Sequence, residues 1–423
     1  MYKLKLVLVT VAVIKLVKTQ TQSVSPYTGS LADCIALTDK FDFTENLNYD
    51  VDTLKYPYTT AYQMVECDEG GICPDGVFRQ FCQWQRFLRV QCTASGDGAE
   101  FKIITNSLPN HCFYAENDYP LGSTSYYNAY GVEGKFNLRP TQMAAFAQDT
   151  SNSAKIYTTI ANRADIDAQL CQPQWAKTSA IDTNLRPAET IYTSTTNTPA
   201  YYSSWSSPKT VASLNLIRLY DSDQVVGVAL NGVFIFTGTS EYGYDMYFPK
   251  NYNNPTMPDR IPTDACLGSQ QTNNVYRYHM YSPCIYDIAM KKQILKCSQS
   301  ASCSQDVRRH AIDHTPISSK GLQPIGLAKD GRVIYGPFKV DGSLWRPCDV
   351  DVCNGRYFGN NYGYVATMFH PYVVSCWGPG NKIVRVKQGC SANPRFCSAG
   401  SNLLVSSFVI SFGFIMGALA LIF

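Results

Sequence analysis

Two well-separated stretches decide the fold: VVGVALNGVFIFTG, Val225 to Gly238, and IGLAKDGRVIYGP, Ile325 to Pro337. In each, a turn pair, Asn231-Gly232 or Asp330-Gly331, divides runs rich in β-branched and aromatic residues, which predicts a β-hairpin. The spacing is preserved between them. Gly227, Ala229, Ile235 and Phe236 are answered by Gly326, Ala328, Ile334 and Tyr335, and only the closing glycine slips, Gly336 falling one place earlier than Gly238. The chain therefore contains an internal repeat.

The repeat continues past the hairpins. Asp264, Cys266 and Gly268 are answered by Asp351, Cys353 and Gly355, the latter preceded by Asn354. Tyr276-Arg277-Tyr278-His279 is answered by Tyr362-Gly363-Tyr364-Val365, and both units then reach a proline and a cysteine, Pro283 and Cys284 or Pro371 and Cys376. Each unit, 225–284 and 325–376, is a hairpin, a Cys-Gly turn and a tyrosine-alternating strand that cannot bury its own face. The two are expected to pack in one β-rich core, with the Tyr-x-Tyr strands as neighbours under a pseudo-twofold. With a period of two, Tyr276, Tyr278 and Met280 face one way, and Arg277, His279 and Tyr281 the other. Upstream, Phe78 to Leu88 fits a helical period, although a strand reading also survives. Residues 114–211 promise loops and short strands, and 285–323 form a longer connection with its own cysteines.

A formal charge of +3 and 16% charged residues give no field that would draw the chain to nucleic acid. The 16 cysteines, none in a CxxC pair, read as disulfides of an oxidising compartment, with Cys67/Cys73, Cys297/Cys303, Cys348/Cys353 and Cys390/Cys397 spaced for local bridging. Lys3 and Lys5 before the apolar run Leu6 to Ile14 read as a signal peptide over 1–22. At the other end, 403–423 is an uncharged apolar run, expected to be a GPI signal or else a transmembrane helix. Ser398, Ala399 and Gly400 are the small residues for a lipid anchor, with Ser391 or Ala392 as a second choice. Between the ends lie a cysteine-bearing segment over 23–90, the repeat-bearing domain over 91–385, and a cysteine-bearing stalk over 386–402.

Set in order, ITNSLPNH (Ile104 to His111), GVALNG, DACLG, YRYHMYSPC, IGLAKDGRVIYGPF, DVCNGR and YGYVATMFHPY resemble the YHYH domain family, over about Cys92 to Gly380. The resemblance implies a mainly β fold and a cell-surface address rather than a settled activity. It marks Tyr276, Arg277, Tyr278, His279, Asp264, Cys266, Asp330, Gly331, Tyr335, Gly336, Asp351, Cys353, Asn354 and Gly355 as motif positions. Departures are specific: Ser269 and Arg277 stand where members carry histidine, and the second unit has Gly363 and Val365. His279 and His111 are what remains of the recurrent histidines.

Imidazoles two apart on a strand suit copper or zinc, but Arg277 holds the second place on that face and its charge disfavours a cation; the candidate metal ligands are therefore the residual His279 and, if the domain closes on itself, His111. The sequence HAIDH adds His310 and His314, which a helix would place on one face, although Arg308 and Arg309 beside them favour a solvated loop. No G-x-S-x-G elbow, Walker loop or calcium loop is present. The expectation is a mainly β, disulfide-rich, internally duplicated protein on the extracellular side of the plasma membrane. It would be a non-enzymatic recognition or scaffolding protein for a carbohydrate or protein ligand. A copper or zinc-binding protein is the alternative, and a carboxylate-dependent hydrolase a third.

Overall fold

Runs of β-branched and aromatic residues outnumber helical patterns, and the computed structural model is accordingly mainly β. It describes residues 27–43, 63–67, 71–72, 78–113, 128–136, 138–139, 215–218, 225–240, 244–249, 261–269, 275–287, 289–292, 295–351, 353–375, 377–378 and 391–396. The expected signal peptide 1–22, Ser398, Ala399, Gly400, the apolar run 403–423 and most of 114–211 lie outside the described residues. Among the described residues no helix is long and apolar enough to cross a membrane.

The amino-terminal part begins with α1 (Leu31–Thr38), started by Ser30, whose hydroxyl accepts the Asp33 N–H at 3.1 Å. Strands β1 (Gln63–Cys67), β2 (Gly71–Ile72), β3 (Phe78–Arg79) and β4 (Cys82–Arg86) follow. β4 pairs antiparallel with β1, and β3 with β2. The stretch Phe78 to Leu88 is thus extended rather than helical. Cys82, Trp84 and Arg86 are buried at a period of two, and the β1 ladder takes the backbone bonds that a helix would have satisfied internally. Next, β5 (Leu88–Ser95), β6 (Gly98–Thr105), β7 (Asn128–Phe136) and β8 (Asn215–Arg218) form a four-stranded sheet in that order. The disulfide Cys34–Cys92 ties α1 to β5, and Cys67–Cys112 ties β1 to the segment after β6. Cys67 therefore does not take the local partner its spacing suggested, whereas Cys297–Cys303 does close a local loop.

The repeat builds the second, eight-stranded sheet from β9 (Val225–Ala229), β10 (Phe234–Phe236), β11 (Gly268–Ser269), β12 (Arg277–Tyr278), β13 (Pro324–Ala328), β14 (Val333–Tyr335), β15 (Gly355–Phe358) and β16 (Asn361–Val365). Its order is β11-β12-β10-β9-β13-β14-β16-β15, which reads the same from either end once repeat equivalents are matched. At the centre β9 and β13 pair antiparallel, Gly227 with Ala328, Val228 with Leu327 and Ala229 with Gly326. That register maps onto itself under the repeat, so a pseudo-twofold passes between Val228 and Leu327. The two tyrosine strands are not neighbours, contrary to the expectation. Each pairs in parallel with the outer strand of its own hairpin, β12 with β10 and β16 with β14, because the inner strands are occupied at the twofold.

Both hairpins form where the turn pairs lie, with a three-residue closure. Ala229 N donates to Val233 O and Ala328 N to Arg332 O, each at 2.8 Å, and only Gly232 and Gly331 take positive φ, 85° and 87°. That is a turn followed by a left-handed glycine rather than a two-residue mirror-image turn. The connection between the units folds as short helices, α2 (Ala301–Gln305) and α3 (Val307–Asp313) among them. One apolar cluster spans both large sheets, α1 and α3. Residues 391–396, expected as part of a stalk, pack into this body: Ser391 Oγ donates to buried Asp245, Ala392 N donates to Phe248 O at 2.8 Å, and Arg395 is buried against the Val350 and Asp351 carbonyls.

Candidate functional site

Each repeat clasps its own two tyrosines. In the first, Asp264 begins a tight turn in which its Oδ1 accepts Gly268 N at 2.9 Å and Leu267 takes φ 63°. Its other oxygen accepts the Tyr276 hydroxyl at 2.7 Å. In the second, Asp351 Oδ1 accepts Cys353 N at 2.9 Å and Gly355 N at 3.0 Å, Asn354 takes φ 62°, and Oδ2 accepts Tyr362 Oη at 2.7 Å. A Cβ on Gly268 or Gly355 would collide with the hydroxyl end of Tyr276 or Tyr362. The Asp-x-Cys-x-Gly spacing thus serves packing, since the aspartate holds turn and ring while the glycine leaves room for the ring.

The second tyrosine of each pair reaches the hairpin turn. Tyr364 Oη donates to Asp330 Oδ2 at 2.6 Å, and Arg332 pairs with the same oxygen at 2.9 Å. Tyr278 Oη meets Asn231 instead, accepting from Nδ2 at 2.9 Å, and lies 2.5 Å from His111 Nε2. His111 Nδ1 lies 2.9 Å from the Cys112 carbonyl, which can only accept. Nδ1 therefore carries the proton, and Nε2 accepts from Tyr278. Burial, with Lys291 and Arg86 nearby, pushes the His111 pKa down to about 3 despite the Cys112 hydrogen bond.

His111 arrives on a strap, the ITNSLPNH stretch, whose side chains stitch the four-stranded sheet to the first repeat. Thr105 Oγ1 donates to Gly232 O at 2.7 Å, Ser107 Oγ donates to Tyr276 O at 2.7 Å and accepts Phe234 N at 3.1 Å. Asn231 Nδ2 also donates to Asn110 Oδ1 at 3.2 Å. Beneath it, buried Arg86 donates to Asn231 O at 2.8 Å and to Gln63 Oε1 at 2.6 Å, and desolvation lowers its pKa to about 10. Arg86 and its partners were not legible as a unit in the sequence. Its only signal is an arginine at a period-two buried position next to Trp84.

His279 lies on the opposite face of the strand from Tyr276 and Tyr278, as the alternation predicts, so the fold does not bring it together with His111. Its Nδ1 donates to Thr237 O at 2.6 Å and its Nε2 accepts from Arg277 Nε at 3.3 Å. Arg277, fully buried, also lies over the Phe236 ring at 4.8 Å. Desolvation first and the Arg277 charge second lower the His279 pKa to about 3. Both ring nitrogens are thus engaged, and the adjoining charge opposes a cation.

HAIDH is helical, correcting the loop expectation: His310 lies in α3 and His314 caps it, their rings 4.5 Å apart. The spacing nevertheless makes no clamp. His310 is buried, with Nε2 2.8 Å from Ala265 O and Nδ1 2.8 Å from Ser302 Oγ, while His314 turns to Asp287 at 3.4 Å. The fold favours the helix because Asp306 caps its start by accepting Arg308 N at 2.8 Å, and Ala311 and His310 face inward. The fifth histidine, His370, was not singled out from sequence. It is buried beside Thr239 at 3.3 Å, near Asp245, which accepts the Tyr372 hydroxyl at 2.8 Å.

The remaining motif residues are structural. Tyr335 and Gly336 close the second hairpin, the Tyr335 ring packing tilted against Phe358 at 4.9 Å and Gly336 O accepting the Trp345 indole N–H at 3.0 Å. Among the described residues every tyrosine is buried or half-buried, and no cysteine is free. Comparison of the chain with protein-family models, with curated proteins and with solved structures finds no match in any of the three.

Proposed function

We propose that this chain is a non-enzymatic recognition or scaffolding protein of the cell exterior, with a YHYH-like domain held at the membrane by a lipid anchor. One observation carries the reading: among the described residues, three of the histidines and the tyrosines of both repeats are engaged inside the core. His111, His279 and His310 use both ring nitrogens within the chain, and the tyrosines of both repeats are tied to Asp264, Asp351, Asp330 and Asn231. Such a body supports a rigid display surface rather than a reaction centre. Disulfide bonding of the described cysteines supports an oxidising compartment. The partner, a carbohydrate or a protein, would meet the outer face, where Ile317 and Val340 stand exposed.

Elemental analysis of the chain as isolated tests the reading, with no stoichiometric copper or zinc expected. A full equivalent that disappears on His279→Ala would replace recognition with metal binding as the function. Treatment of expressing cells with a phosphatidylinositol-specific phospholipase tests the anchor. Release into the medium is expected, and retention after an effective digest would overturn it.

A further inference from the structure

The two repeats are near-equivalent in backbone, and one of the places where they part company joins an imidazole to a disulfide. In the second, Tyr364 Oη is met by a backbone group, Gly378 N at 2.8 Å, and Cys353 Sγ faces the Trp377 carbonyl at 3.7 Å. In the first, the imidazole of His111 enters from outside the repeat. Its Nε2 holds Tyr278, and its Nδ1 lies 3.3 Å from Cys266 Sγ. Cys266 is bonded to Cys284, and the ligand atoms of His111, Cys266 and Cys284 all lie within 4.8 Å of one another in a buried group. The hydroxyl that donates to Asp330 in the second repeat donates here to a side chain that can bind a soft metal, while Asn231 Nδ2 takes the donor role of Gly378 N.

We propose that reduction of the Cys266–Cys284 disulfide opens a buried site for copper(I), with the two thiolates and His111 Nδ1 as its three ligands. A dithiol is the reductant. It transfers two electrons and two protons to the protein sulfurs, the Cys266–Cys284 bond breaks, and the dithiol closes to its own disulfide. Cuprous ion then displaces the two thiol protons to solvent. His111 frees Nδ1 by moving its proton to Nε2, where the Tyr278 oxygen becomes the acceptor.

The geometry suits this set. Sulfurs held at about 2.3 Å from one three-coordinate metal sit about 4 Å apart, and the Cα atoms of Cys266 and Cys284, 5.4 Å apart, allow that by side-chain rotation. Thiolates favour soft or borderline ions, cuprous copper and zinc among them. Among the described residues no fourth His, Cys, Asp or Glu joins the group, which matches a three-coordinate ion better than the four ligands of structural zinc. The filled site carries one net negative charge, and the positive charges that act on His111, Lys291 and Arg86, complement it.

The test uses the full-length chain. It is reduced anaerobically with graded dithiothreitol and freed of the reductant. It is then given one equivalent of cuprous ion as its acetonitrile complex, alkylated with iodoacetamide and mapped by peptide mass. Copper is expected to slow labelling of Cys266 and Cys284 by about an order of magnitude, as capture of a reactive thiolate by metal requires, and His111→Gln is expected to abolish that protection. X-ray absorption of the wild-type copper complex reads the site without any variant, two sulfurs and one imidazole being expected. Equal labelling with and without copper, a pair that stays oxidised until the chain unfolds, protection that survives His111→Gln, or a sulfur-only shell would each overturn the proposal.

Discussion

Acidification from about pH 7.5 to about pH 5 is expected to remove a large part of this protein's stability through two histidines. An unperturbed histidine titrates near 6.5, whereas His111 and His279, each 1% exposed, are held down to about 3. A depressed histidine binds its proton more readily in the unfolded chain, so stability is complete above about 6.5 and falls as pH drops from there towards 3. Each unit of pH below 6.5 costs about 1.4 kcal/mol per histidine. At about pH 5 that is about 2 kcal/mol each and about 4 kcal/mol together, a large share of the stability of an ordinary domain. His310 and His370, also lowered by burial, act in the same sense, and Asp351, whose carboxyl burial pushes up, offsets part of it. Urea unfolding followed by tryptophan fluorescence at the two pH values gives the difference directly. His279→Gln should lower stability at neutral pH yet remove about 2 kcal/mol of the pH dependence. An unchanged urea midpoint at about pH 5, or a variant that keeps the full dependence, would refute the account of these histidines as buried and neutral.

Four further outcomes follow from the same packing. Tyr276→Phe should cost about 1–3 kcal/mol in urea unfolding, because it leaves Asp264 Oδ2 without its hydroxyl partner; Tyr362→Phe should do the same through Asp351. Gly268→Ala or Gly355→Ala should lower the melting temperature, a loss of about 1–3 kcal/mol from overpacking against the tyrosine ring, and an unaffected variant would show that the ring is free to move. Arg395→Ala should cost about 2–4 kcal/mol by stripping the Val350 and Asp351 carbonyls of their donor, measured by the same denaturation. The double change Cys266→Ser with Cys284→Ser should cost about 3 kcal/mol through the freed loop, and a smaller loss would place residual order in that loop when unfolded.

Much of the candidate site was visible as spacing and invisible as contact. The Asp-x-Cys-x-Gly turns and the Tyr-x-Tyr strands stood out because they recur, and the structure gives that recurrence a cause: one aspartate holds one turn and one ring in each half. His279 and His111 stood out as residual histidines, yet one faces Phe236 and Thr237 and the other faces Tyr278, on opposite sides of one strand. Spacing also left one stretch undecided. Phe78 to Leu88 carries aromatic residues that satisfy two periods, and only the β1 partner selects the extended one.

The sequence alone determined the two hairpins, their equivalence and the alternation of tyrosines, because turn chemistry and strand period are set within a few residues of chain. Tertiary structure decided which strand flanks which, that Cys67 bonds Cys112 rather than a near neighbour, and that residues 391–396 seal the body. It also decided that a strap from before the repeat delivers His111 to Tyr278 and to the Cys266–Cys284 bond. These contacts join residues far apart in the chain. Their energies depend on the route of the whole backbone, and no local pattern of side chains records that route.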